Sequence, residues 1–166
     1  MPEPSVELMR DEAKRIHESA VYCAQGQYEA AKRWRCTHWI LGVIAAALGT
    51  IGAILTFAEL SPIVAGIFTI LAVVVTATMT GVRPDKLAER AQAIGNDYTT
   101  LRNDARRFMN IDLNVDPVSD SRERLNELSR HVSDLDSAAD PIPRWAYIRA
   151  DRNIKEGGQD FEVDAS

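Results

Sequence analysis

The stretch WILGVIAAALGTIGAILTFAELSPIVAGIFTILAVVVTATMTGV, residues 39–82, holds a single charged side chain, Glu59. It falls into two runs, 39–58 and 63–82, each about 20 residues long, the length an α-helix needs to cross a hydrocarbon core at about 1.5 Å per residue. Uncharged core helices of soluble proteins usually stop at about 10 to 14 residues. The interruption between the runs explains itself on this reading. Glu59, Ser61 and Pro62 suit a tight turn at the far membrane surface, where water solvates the carboxylate and proline starts the second helix at little cost. The decisive stretch is therefore predicted to be a transmembrane hairpin with its tip at 59–62.

Working outward, basic residues flank the hairpin at one end only. Lys32, Arg33 and Arg35 precede the first run, Arg83, Lys86 and Arg90 follow the second, and the tip has none. Lys and Arg resist translocation, so both termini are expected in the cytoplasm, with the chain multi-pass in a plasma membrane. The first run starts too far into the chain, and after too many acids, for a cleaved signal peptide. The net charge of −5 and slightly negative mean hydropathy average two unlike regions: an uncharged block and crowded, charged flanks. Cys23 and Cys36 fall on the predicted cytoplasmic side, where thiols stay reduced, and neither has metal-ligand neighbours in the sequence.

The flanks read as helices. No proline lies between Pro4 and Pro62, and Val6, Met9, Ala13, Ile16, Ala20 and Cys23 form one apolar stripe. The mixed charges around that stripe favour a protein partner over a lipid surface. After the second run, Leu87, Ala91, Ile94, Tyr98, Leu101, Ala105 and Phe108 alternate steps of four and three, the seam of a bundle or of an oligomeric coiled coil. NIDLNVDP (110–117) reads as a loop, Asp120 and Glu123 as a capping pair for a helix bearing Leu125, Leu128, Val132 and Leu135, and Pro143 as the opening of a last helix.

The expected fold is thus an all-α membrane protein: a two-helix transmembrane hairpin with an amphipathic N-terminal helix and a cytoplasmic C-terminal helical bundle. One domain, 1–156, comprises the cytoplasmic helix 5–38, spans 39–58 and 63–82, the extracytoplasmic turn 59–62 and cytoplasmic helices over 83–156. Residues 157–166 form a disordered acidic tail.

Catalytic signatures are missing. There is no Gly-rich phosphate loop, GxSxG elbow, HExxH or paired CxxC, and His17, His38 and His131 lie on separate helices without ligand-spaced partners. No catalytic, cofactor or metal site is predicted, and the modestly acidic segment 83–166 disfavours nucleic acid. Within the spans the informative residues are small or hydroxylated. Gly42, Ala46, Gly49 and Ala53 form a groove that lets another helix approach. Thr69, Thr76 and Thr80 share a face that either packs, with hydroxyls bonded to their own helix, or lines a water path in an oligomer. Arg144, Arg149 and Arg152 are a candidate phosphate contact, set against a solvated ion-pair surface.

Four segments carry a family resemblance: AKRWRCTHW (31–39), AELSP (58–62), RAQAIGNDYTTLRNDARRF (90–108) and PIPRWAYIRADRNI (141–154). In their order and spacing the chain resembles the SLATT family, the SMODS- and SLOG-associating two-transmembrane effector domains of bacteria. That resemblance implies a membrane effector of a bacterial conflict or defence system, which oligomerises and perforates or perturbs the inner membrane on a nucleotide signal. Family members often neighbour a nucleotide-producing or nucleotide-sensing module, and the sequence has no room for one. The trigger is therefore expected from a trans-acting protein or at the cytoplasmic helices. The expected partners are membrane lipid and further copies of the chain; a non-conducting membrane-anchored scaffold that recruits a cytoplasmic protein is the alternative.

Overall fold

The computed structural model describes residues 4–59, 61–115 and 117–158. The described residues are almost wholly helical: α1 (Pro4–Phe57), α2 (Pro62–Val82), α3 (Pro84–Arg107), a π turn (Phe108–Asp112), α4 (Leu113–Val115), α5 (Val118–Ala138) and α6 (Arg144–Lys155). α1 is as long as its proline-free sequence allows. It ends where Ala58 N–H bonds to Ile54 O at 2.9 Å and Glu59 turns to φ 53, left-handed geometry that favours glycine. Leu60, within the expected tip, and the expected tail from Gln159 on lie outside the described residues.

Two helices are long and apolar enough to cross a membrane, and their most apolar windows are only 6% buried. An apolar core helix of a soluble protein would be mostly covered, which these two are not.

The chain forms two compact units, one of described residues up to Ala30 and from Arg90, the other Ala31–Glu89. In the first, three apolar stripes converge. Met9, Ala13, Ile16, Ala20 and Ala24 of α1 meet Ile94, Tyr98, Leu101 and Ala105 of α3, Phe108 of the π turn and Leu128 and Leu135 of α5 in one core. Leu101 and Ala105 are fully enclosed. α6 adds Ala146 and Ala150, both at 0% exposure, and stacks Tyr147 on Tyr22 with ring centroids 5.9 Å apart. The connection into α6 is tied down by polar bonds: Gln27 Nε2 donates to Asp140 O at 3.1 Å and Arg90 Nη2 to Ala138 O at 3.2 Å.

Two local expectations are corrected. Segment 110–117 is not a loop at its start, because the helix runs on through the π turn into α4. A π turn bonds residue i to i+5, which brings Leu113 round to the side of Phe108, and both are buried. Asn114 Nδ2 supports the turn by donating to Asn110 O at 2.8 Å. The second correction concerns Asp120 and Glu123. α5 begins earlier, with Pro117 at the N-cap and no side-chain cap, so Asp120 lies inside the first turn as an acid favoured by the helix dipole.

Candidate functional site

In the unit Ala31–Glu89, the second half of α1 and α2 form an antiparallel pair. The seam between them is read from burial: Leu41, Ala45, Leu48, Gly52 and Leu55 on α1, Ala65, Phe68, Ala72, Val75 and Met79 on α2 are all buried or half-buried. Gly52 lies where the two helices meet tightly. A Cβ there would lie 2.9 Å from Thr69 Oγ1 and 3.4 Å from Ala65 O, so glycine is required for the helices to meet.

The groove expected at Gly42, Ala46, Gly49 and Ala53 lies one residue forward of this seam. Gly42 is half-buried, 3.8 Å from Met79 at its Cβ position, whereas Ala46, Gly49 and Ala53 are exposed and Gly49 has open space beside it. Thr69, Thr76 and Thr80 are likewise one residue forward on α2, and exposed. Because the helices run antiparallel, a forward step turns both toward the same side of the pair. The small residues and the threonines therefore share one face, with Val73, 62% exposed, between Thr69 and Thr76. A backward step gives the opposite face, where most residues are large, Ile44, Ile51 and Ile54 with Val64, Ile67, Leu71 and Val74, exposed by 41 to 58%, beside the smaller Ala47 and Thr78. The pair is two-faced, shallow on one side and bulky on the other.

Every expected pore-lining hydroxyl is satisfied by its own helix. Thr69 Oγ1 donates to Ala65 O and Thr76 Oγ1 to Ala72 O, each at 2.9 Å, and Thr80 Oγ1 to Thr76 O at 3.0 Å. Such back-bonding lets threonine face either lipid or a neighbouring helix at little cost, and its carbonyl-bound hydroxyl still accepts from water.

The seam of α3 is spent inside the chain. Ala91, Ile94, Tyr98, Leu101, Ala105 and Phe108 are buried in the first unit's core, while Leu87, in the other unit, is half-buried. Tyr98 also carries a polar anchor: its hydroxyl donates to Asp136 Oδ1 at 2.6 Å. Burial first, then this bond to a carboxylate, pushes the phenol well above its ordinary range. Burial also raises the Cys23 thiol, which makes it a poor nucleophile.

Arg144, Arg149 and Arg152 all lie on α6, with Arg152 about 60° round the helix from Arg149 and about 80° from Arg144. On α6 the first is turned about 140° from the second at about 100° per residue. Arg149 is engaged with Glu29 at 4.0 Å and lies 6.0 Å over the Trp145 ring. Sequence reasoning passed over a second charged place, a cavity of about 170 Å3 beside the π turn. Asp104, Arg107, Asp112, Arg124, Glu127 and His131 line it, with Arg124 paired to Glu127 at 3.2 Å and Arg107 to Asp112 at 3.9 Å. Its charges largely neutralise one another. Among the described residues no three His, Cys, Asp or Glu side chains gather at metal-binding distance. Comparison with protein-family models, with curated proteins and with solved structures found no match to the chain.

Proposed function

We propose that the chain is a membrane-integral effector of a bacterial conflict or defence system. Its hairpin crosses the inner membrane with both termini in the cytoplasm, and copies assemble through the shallow face to open a pore or disrupt the bilayer on a nucleotide-linked signal. The two-faced helix pair carries this reading. Lipid chains fill space around branched side chains, whereas helix backbones approach closely over Gly, Ala and Thr, so the bulky face suits lipid and the shallow face another helix. The burial of the α3 seam within its own unit supports assembly through the membrane part. The signal and the defence context come from the resemblance to two-transmembrane effectors.

Ion or dye leakage from cells producing the chain tests the proposal. Thr76→Lys is expected to change leakage or toxicity, because a charge at mid-span costs about 2.5–3.5 kcal/mol unless it meets water. Large substitutions at Thr69, Thr76 and Thr80 that leave both unaltered would contradict it.

The satisfied hydroxyls favour a second reading, a non-conducting anchored scaffold that recruits a cytoplasmic protein. Removing residues 84–156 separates the two. A scaffold loses all function without them, whereas a bare hairpin pore keeps part of its leakage.

A further inference from the structure

The outward side of α6 is basic around one apolar residue. Ala146 and Ala150 are at 0% exposure, and Ile148, turned about 160° from each at about 100° per residue, is 49% exposed. Arg144 and Arg152 lie four residues to either side of it, about 40° round the helix, and both are exposed. Neither guanidinium has a hydrogen bond or ion pair among the described residues, whereas Arg149 and Lys155 are held by Glu29 and Asp151. Arg144, Ile148 and Arg152 thus form one ridge with two unengaged cations.

The opposite charge lies between α3 and α5. In the cavity beside the π turn, Arg124 is paired with Glu127 and Arg107 with Asp112, so with His131 neutral Asp104 is the unmatched charge. Phe108 and Leu128, 1% and 9% exposed, give that cavity an apolar wall on which the methylenes of a long cationic side chain can lie. Seven residues before Asp104, and so about 20° from it round α3, comes Asp97, also exposed. Neither carboxylate has a partner among the described residues. The two acids stand about 10.5 Å apart along α3, and Arg144 and Arg152 about 12 Å apart along α6.

Direction matches as well as spacing. α3 passes Tyr28 at Gly95, where a Cβ would lie 2.8 Å from the ring, and the chain beyond α3 reaches Arg10, bonded to Asn114 at 3.2 Å. The entry to α6 sets Ile142 against Gly26, and Tyr147 then stacks on Tyr22. Both helices therefore run toward the start of α1. Copies inserted in one membrane with one topology share that direction, so α6 of one copy and α3 of the next meet in parallel, each arginine opposite an acid in order. We infer that α6 of one copy docks on the α3–α5 cleft of the next, Arg152 entering the cavity to reach Asp104 while Arg144 pairs with Asp97. Charge complementarity selects a second copy: a lipid headgroup or an acidic peptide would meet the arginines and leave both aspartates open. Each copy offers both surfaces, so the contact is head to tail and propagates round a ring. The inference rests on copies assembling in the membrane and not on their opening a pore.

The test is cysteine crosslinking of the full chain in native membranes, with Cys23 and Cys36 replaced by serine. Ile148→Cys on the ridge and Thr100→Cys, exposed on α3 between the two acids, are placed in one chain. Crosslinked dimers and higher multiples are expected. Arg152→Glu or Asp104→Arg alone should lower that yield about tenfold, since like charges then face each other, and the two together should restore it. Swapping Arg144→Glu with Asp97→Arg repeats the comparison outside the cavity. An undiminished yield in the single variants, or no restoration in either swap, overturns the contact. A crosslinked band that is no multiple of the chain's mass assigns the ridge to another protein and overturns the second copy. Quenching of a fluorophore on Ile148→Cys by brominated phosphatidylglycerol, without crosslinking, assigns the ridge to the bilayer and does the same. Crosslinks through Gly49→Cys but none through the new pair overturn this contact and leave the membrane assembly standing, whereas crosslinks through neither overturn both.

Discussion

Gly49 and Gly52 are three residues apart on α1 and meet opposite surroundings. Beside Gly52 a methyl group would strike Thr69 and the α2 backbone, whereas Gly49 faces open space. Gly52→Ala is therefore expected to destabilise the helix pair by about 1–3 kcal/mol through overpacking. Gly49→Ala should be neutral or gain up to about 1 kcal/mol from helix propensity. Unfolding by detergent titration measures both, and equal effects would contradict the seam. The sequence showed small residues at helical spacing but not which set closes the pair. The stripes starting at Leu41 and Gly42 both step by threes and fours, both are uncharged, and they differ by one residue of rotation. Tyr98 was legible as an apolar seam residue and not as an anchor, because Asp136 is distant in sequence. Its raised phenol stabilises the folded form below its ordinary value of 10.0, and that contribution is lost as pH rises above it. Tyr98→Phe should lower stability by about 1–2 kcal/mol near neutrality and flatten the loss at alkaline pH; thermal melts from pH 8 to 11 read the difference. An unchanged alkaline slope would remove Tyr98 as its source.

At the scale of elements, hydrophobic periodicity located the helices and failed at their junctions. Polar side chains made 110–117 look like a loop, yet the π turn keeps the chain helical and delivers Leu113 to the core. No residue type announces such a turn, since it is selected by the two buried side chains it reconciles. Leu113→Ala removes the side chain that the turn delivers to the core, at an expected cost of about 2–5 kcal/mol. A melting temperature unchanged from the parent would mean that the turn plays no part in packing. The capping pair was misplaced for a related reason: Pro117 fixes its own φ and begins α5 without a side-chain cap.

At the scale of the whole molecule, length and charge were the most informative features. Two uncharged runs and a one-sided set of basic residues predicted spans and topology before any contact was known, and both apolar helices are indeed left uncovered. The expected topology has a direct consequence. With Cys23 and Cys36 replaced by serine, Ser61→Cys is expected to react with an impermeant maleimide applied outside intact cells, whereas the native Cys36, in the chain that retains it, is not; the reverse pattern would invert the orientation. The proposed assembly surface emerged only when the antiparallel seam fixed how each helix is rotated, which turned two separate stripes into one face. The measurement that tests the central claim most directly is cysteine crosslinking in native membranes, in the cysteine-free background, comparing Gly49→Cys on the shallow face with Ile67→Cys on the bulky face. Crosslinked dimers from Gly49→Cys and few from Ile67→Cys are predicted. Crosslinking through Ile67→Cys alone, or through neither, would contradict assembly by the shallow face.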